Sequence, residues 1–176
     1  CNLSRWRRLN PEDLHQKAIA RFETRFRHVE ETFALLGKDM RQCTLKELDD
    51  AWEDAKILER TILVGLTGSI ASGKSSVAEM LRKNGIAVVD ADQVSRLILA
   101  PGTPAFQQVV SEFGKDIINA EGGIDRKKLG SIVFASDEKR ARLESITHPF
   151  IGAQSKRLFV ELAKKGHKTV IYEATL

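Results

Sequence analysis

Residues 65–76 read GLTGSIASGKSS. Within them Gly68, Gly73, Lys74 and Ser75 fit the phosphate-binding spacing G-x-x-x-x-G-K-[ST], the Walker A pattern or P-loop. Its context also fits. TILVGLT before it is a short apolar run rich in β-branched residues, and SGKSSVAEMLRKNG after it is helical and stops at Gly85. A strand, then a glycine loop, then a helix is the arrangement this chemistry needs. Glycines let successive backbone N–H groups point inward at phosphate oxygens, and the helix N-terminus adds positive dipole. Lys74 can bridge the outer phosphates and the Ser75 hydroxyl can ligate Mg²⁺. The plainer reading, a glycine turn with an exposed lysine, leaves the flanking strand and helix unexplained.

Downstream, IAVVDAD (86–92) reads as a second strand and KTVIYEA (168–174) as a third. Helical stretches are expected over 93–99, 105–113, 126–134 and 136–165, the last with a bend near His148-Pro149. Apolar strands alternating with helices imply an α/β fold with a parallel sheet covered on both faces. In such sheets ligands gather beyond the carboxyl ends of strands. Asp90 and Asp92 therefore belong near the phosphates. A kinase acting on a hydroxyl needs a carboxylate to orient it and accept its proton. A structural reading also stands for these two, as a loop carboxylate and a helix N-cap, and for Asp92 the cap role is compatible with the catalytic one.

Upstream, residues 1–60 have another texture, charged and helical throughout. Asn10 is a natural N-cap, with Pro11 in the first helical position and Glu12 and Asp13 in the first turn. Leu14, Ala18, Phe22, Phe26, Val29 and Phe33 recur at steps of three or four and form one apolar stripe. Gly37 is the stop. Thr44 with Glu47 makes a capping box for a second helix, along which Leu48, Trp52 and Ala55 continue the stripe. No Gly/Ser/Pro linker separates this all-α segment (1–60) from the α/β region (61–176).

Bulk properties bound the rest. The chain has 176 residues, 42% hydrophobic, with 28 basic and 24 acidic residues and a net charge of +4. That excess suits nucleotides and is too small to argue for nucleic acid. Cys1 and Cys43 have no metal-ligand spacing and read as free thiols of a reducing cytoplasm. No apolar stretch is long enough for a membrane span and no signal peptide is visible. A first residue that is not Met, and an apolar run ending at Leu176, suggest a chain cut at both ends.

The ordered motifs GLTGSIASGKSSVAEMLRKNGIAVVDADQVSRLILAPGTPAFQQVVSEFG, GGIDRKKLGSIVF and LESITHPFI resemble dephospho-coenzyme A kinase over about residues 62–176. The resemblance implies a P-loop kinase fold and an enzyme, a phosphotransferase. It would move the ATP γ-phosphate to the ribose 3′-hydroxyl of dephospho-CoA, the last step of coenzyme A synthesis. Gly68 and the stretch Ala71, Ser72, Gly73, Lys74, Ser75 and Ser76 would wrap the ATP phosphates, with Lys74 the stabilising cation, Ser75 on Mg²⁺ and Asp92 the base. Thr67, Asp90, Arg96 and His148 fall at family positions around the acceptor. Family loops commonly read GGIGSGKST, so Ser69, Ala71 and Ser76 depart from the pattern. None removes a side chain that the phosphate chemistry needs, but Ser69 and Ala71 restrict backbone freedom. The family continues past VIYEATL into an arginine-bearing lid and further strands, so this chain alone is expected to be a weak or inactive kinase.

Residues 2–56 resemble the C-terminal end of MazG-type nucleoside triphosphate pyrophosphohydrolases, through NL-x-R, the Pro-Glu helix start, F-x-x-RF-x-x-VE and L-x-E-x-x-x-x-W-x-x-AK. That family is all-α, usually dimeric, and holds Mg²⁺ with acids upstream of NL-x-R. The resemblance places Arg21, Arg25, Trp52 and Lys56 at nucleotide contacts. From spacing alone the two arginines can equally be a solvated face and Trp52 a core aromatic. The expected whole is a cytoplasmic, ATP- and Mg²⁺-using fused protein, free of nucleic acid and membrane, with a homodimer through its helical segment. The competing readings are another P-loop nucleoside or nucleotide kinase with a helical docking module, and a nucleotide-binding interaction protein without turnover.

Overall fold

The computed structural model describes residues 10–69 and 72–174, so Cys1, the NL-x-R segment, Ala71 and Leu176 lie outside the described residues. Two compact units divide between Glu59 and Arg60.

The first unit is a pair of helices, α1 (Pro11–Leu35) and α2 (Leu45–Arg60), joined through a 3₁₀ turn at Met40–Gln42. Its ends follow local chemistry. Asn10 Oδ1 accepts from the Glu12 N–H at 3.0 Å. At the other end Gly37 takes φ 64°, while the Gly37 and Lys38 N–H groups donate to the Ala34 and Phe33 carbonyls at 3.1 and 3.0 Å. This is a glycine-closed Schellman end. The capping box forms in both directions. The Glu47 N–H donates to Thr44 Oγ1 at 3.3 Å, and the Thr44 N–H donates to Glu47 Oε2 at 2.9 Å. Val29, Phe33 and Ala51 make the core, with Met40, Cys43, Leu48 and Trp52 packed against it. The apolar stripe is only half used. Leu14, Phe22 and Phe26 are 41%, 56% and 40% exposed. The periodicity marked the face, but α2 covers it only in part: it reaches Phe22 through Trp52 and still leaves Phe22 and Phe26 largely exposed.

The second unit holds a three-stranded parallel sheet in the order β1 (Ile62–Leu66), β3 (Thr169–Glu173), β2 (Ala87–Asp90). Between the strands run α3 (Lys74–Lys83), α4 (Ala91–Ile98), α5 (Pro104–Phe113), a 3₁₀ turn at Lys115–Ile117, α6 (Arg126–Phe134) and α7 (Asp137–Lys164). Helix α7 passes continuously through His148 and Pro149. It packs against β2, β3, α4, α5 and α6. A second core of Val109, Ile117, Leu129, Val133 and Ile146 ties α5, α6 and α7 together.

Full coverage of the sheet, expected from its apolar strands, holds for two strands and fails for the third. In β3 Val170 is fully buried, and Ala87 and Val89 of β2 are buried as well. Ile62, Leu63 and Val64 of β1 are 60%, 46% and 43% exposed. β1 and β2 both lie at sheet edges, but α3 and α7 pack on β2 and α7 on β3; the apolar composition of a strand states a demand for burial without saying what meets it. Among the described residues no helix is long and apolar enough to cross a membrane.

Candidate active site

Three carboxyl-terminal strand ends come level. Leu66 of β1 pairs with Glu173 of β3, and Glu173 pairs with Asp90 of β2. Neighbouring strands lie about 4.8 Å apart, so the start of the glycine loop, Glu173 and Asp90 line one edge within about 10 Å. This parallel register puts the loop where open α/β sheets bind ligands.

The loop leaves β1 at Thr67 and enters α3 at Lys74. Gly73 caps α3 with φ 82°, in the left-handed region that a side chain would strain. A Cβ on Gly68 would stand 2.5 Å from Ser72 Oγ, so any side chain there would require the Ser72 hydroxyl to turn away. The Ser72 N–H donates to the Ser69 carbonyl at 3.2 Å, so serine at position 69 still allows a turn. Lys74, Ser75 and Ser76 follow in the first turn of α3. Their backbone N–H groups are among those that a helix N-terminus leaves without intrahelical partners. Positive dipole and backbone donors thus gather where the loop enters α3, and Lys74 is the first residue of that helix.

Glu173, which the sequence reading passed over, is the buried acid of this edge at 6% exposure. The Ser75 hydroxyl donates to Glu173 Oε1 at 3.3 Å, and Arg82 Nη2 donates to Glu173 Oε2 at 3.4 Å. An acid closing the strand next to the loop strand was the available signal, but it required knowing that β3 is that neighbour. Ser75 and Glu173 supply two hard oxygen donors, a fit for Mg²⁺, which favours oxygen, takes few protein ligands and keeps waters and substrate phosphates. Among the described residues no group of three or more His, Cys, Asp and Glu could hold a metal.

The two acids of DAD exchange their expected structural parts. Asp90, not Asp92, is the helix N-cap. Its Oδ1 accepts from the Asp92 and Gln93 N–H groups at 2.8 and 3.3 Å, and Gln93 Nε2 donates to its Oδ2 at 3.1 Å. The strand therefore ends two residues earlier than expected, and Asp92 occupies the first turn of α4. Val94 and Ile98 bury one face of α4, while Asp92 and Arg96, four apart, are exposed on another. Freed of capping, Asp92 is exposed two residues beyond the end of β2 at Asp90. Thr67 is exposed beside the loop, and His148 is exposed midway along α7.

In the helical unit Arg25 and Trp52 meet. The guanidinium lies 5.8 Å over the indole ring. Arg25 Nε donates to Glu59 Oε2 at 2.8 Å, and a second guanidinium nitrogen reaches the same oxygen. Phe22 packs on the other ring contact of Trp52, with centroids 5.4 Å apart. Lys56 donates to Glu53 at 2.5 Å, and Arg21 is exposed. Arg25, Trp52 and Phe22 thus form one cation–aromatic cluster, with Trp52 partly buried. Farther along, the Lys38 ammonium, and then the Thr44 N–H and hydroxyl, hold the Glu47 carboxyl down to about 2.

Comparison with known proteins bears on the second unit. The sequence model of dephospho-CoA kinase matches residues 62–176. The dephospho-CoA kinase of Halalkalibacterium halodurans is 44% identical over 115 residues, 65% of this chain and 57% of the relative. That of Thermobifida fusca is 48% identical over 113 residues, 64% of this chain and 56% of the relative. The solved dephospho-CoA kinase from Campylobacter jejuni superposes with a TM-score of 0.53 at 32% identity, over 64% of this chain and 56% of that one. This chain spans about half the length of the curated relatives it matches. With its glycine loop between β1 and α3 and a P-loop kinase fold around it, the chain belongs to the dephospho-CoA kinase family.

Proposed function

We propose that residues 62–174 form the phosphate-binding part of a kinase that transfers the ATP γ-phosphoryl group to the ribose 3′-hydroxyl of dephospho-CoA, completing coenzyme A. The observation that carries this is a glycine loop that follows β1 just past Leu66, which is level with Glu173 and Asp90 at the strand ends. Lys74 would neutralise charge gathering on the transferred phosphoryl group. Backbone N–H groups of Gly73 to Ser76 would hold the phosphates in line. Asp92 would orient the acceptor hydroxyl and take its proton. Thr67, Asp90, Arg96 and His148 would bound the acceptor. Ser75 and Glu173 would hold Mg²⁺, which when bound screens the phosphate oxygens and fixes their geometry.

The first unit is read as the nucleotide-facing tail of a MazG-type pyrophosphohydrolase, with Arg21, Arg25, Trp52 and Lys56 toward triphosphate and base. The Arg25–Trp52 contact supports that reading. The exposed Leu14, Phe22 and Phe26 support a homodimer through α1. The proposed setting is cytoplasmic, without nucleic-acid or membrane partners.

The test is ADP release with ATP and dephospho-CoA, against nucleoside monophosphates as alternative acceptors. Residues 1–176 alone are expected to turn over slowly, and only with dephospho-CoA. Faster turnover with a nucleoside monophosphate would instead support a nucleotide kinase carrying a helical docking module. ATP binding without turnover, also in any longer chain containing these residues, would support a non-catalytic nucleotide-binding protein.

A further inference from the structure

Helix α3 presents two side chains to one buried carboxylate. Ser75 and Arg82 are seven residues apart, two helical turns, and so share a face. The seven-residue rise is about 10 Å, which the arginine spans by leaning toward the helix N-terminus, the direction helical side chains favour. Glu173 receives Ser75 on Oε1 and Arg82 on Oε2. The carboxylate side chain is 7% exposed and that of Arg82 is 40% exposed, so the pair joins a buried acid to a base at the surface. A buried carboxylate with one weak neutral partner would be costly and free to rotate. The second contact removes that freedom.

We propose that Arg82 is a positioning residue: it fixes the Glu173 carboxylate so that Oε1 stays turned toward Ser75, presetting both oxygens for the hard cation that accompanies bound phosphates. Arg82 has this role only if Ser75 and Glu173 are the cation-facing pair of the phosphate loop. The competing role is a plain surface salt bridge, and the sign of one effect separates the two. As a bare positive charge near a cation site, Arg82 would repel Mg²⁺, so neutralising it would tighten Mg²⁺ binding. As a positioning residue its loss weakens Mg²⁺ binding, on the order of tenfold, as removal of an outer partner of a ligand does.

The experiment titrates Mg²⁺ against binding of a fluorescent ATP analogue to residues 1–176, with a parallel series in EDTA. Arg82→Met is expected to raise the Mg²⁺ midpoint about tenfold, with affinity in EDTA changed less than about twofold. Arg82→Lys should recover most of the shift. In a Glu173→Gln background Arg82→Met should add nothing. If Arg82→Met fails to fold, Arg82→Gln, which keeps length and a donor, is read in the same way. An unchanged or lowered Mg²⁺ midpoint, or full additivity with Glu173→Gln, overturns the role. Wild-type nucleotide binding that ignores both Mg²⁺ and Lys74→Ala overturns the phosphate-loop reading and this role with it. Binding that needs Lys74 but ignores Glu173→Gln overturns the positioning role alone.

Discussion

The two units solve the same problem with different means. Residues 10–59 are two well-capped helices around a small core, with Val29 and Phe33 buried while Leu14, Phe22 and Phe26 stay exposed. Residues 60–174 bury Val94, Val109, Ile117 and Val170 to 1% or less and leave one edge strand bare. In the helical unit, order comes from contacts between residues close in sequence. In the sheet unit, it comes from strands brought together over about a hundred residues. Local signals define elements, and only long-range packing supplies most of the burial that stabilises them.

The sharpest way to break this comparison is Phe33→Ala. At 3% exposure its loss costs about 4 kcal/mol, comparable with the whole stability of a unit this small. Far-ultraviolet circular dichroism is expected to show the helical unit melted while the sheet unit keeps its own transition. A single shifted transition would mean that the units are not independent. Ile117→Ala, at 0% exposure, should cost about 3 kcal/mol and lower only the transition of the sheet unit in a denaturant melt.

Thr44→Ala removes the threonine arm of the capping box, leaving the Thr44 N–H on Glu47, and should cost the helical unit about 1 kcal/mol, read in the same melt. The smallest effect is on acid titration. Glu47 is depressed from 4.5 to about 2 by Lys38 and Thr44. A carboxyl depressed on folding contributes its stability above pH 4.5 and loses it as the pH falls toward 2. Ellipticity followed from pH 6 to 2 should show a component in that window which Glu47→Gln removes. A Glu47→Gln chain with an unaltered acid profile would contradict this assignment.

What could be read in the sequence divides along the same line. Asn10, Gly37 and the Thr44–Glu47 box were legible because each acts within four residues. The strand before the glycine loop and the helix after it were legible because they are built from consecutive residues, with Gly73 at φ 82° opening α3. Asp90 and Asp92 exchanged capping roles because either acid can begin a helix two residues apart, and sheet pairing at Asp90–Glu173 decides where the strand stops. Glu173 was not legible, since it matters only once β3 lies between β1 and β2. The bare face of β1 and the uncovered half of α1 were hidden for the same reason, because an apolar pattern names a face and not its cover.

The central claim is that Gly68 to Ser76 hold the phosphates of ATP through Lys74 and the N-terminus of α3. Calorimetric titration of ATP with Mg²⁺ into residues 1–176 tests it most directly. Saturable one-site binding is predicted, weakened roughly thirtyfold, about 2 kcal/mol, by Lys74→Ala with the fold unchanged. Binding that survives Lys74→Ala at full strength, or no saturable binding in the wild type, would contradict it.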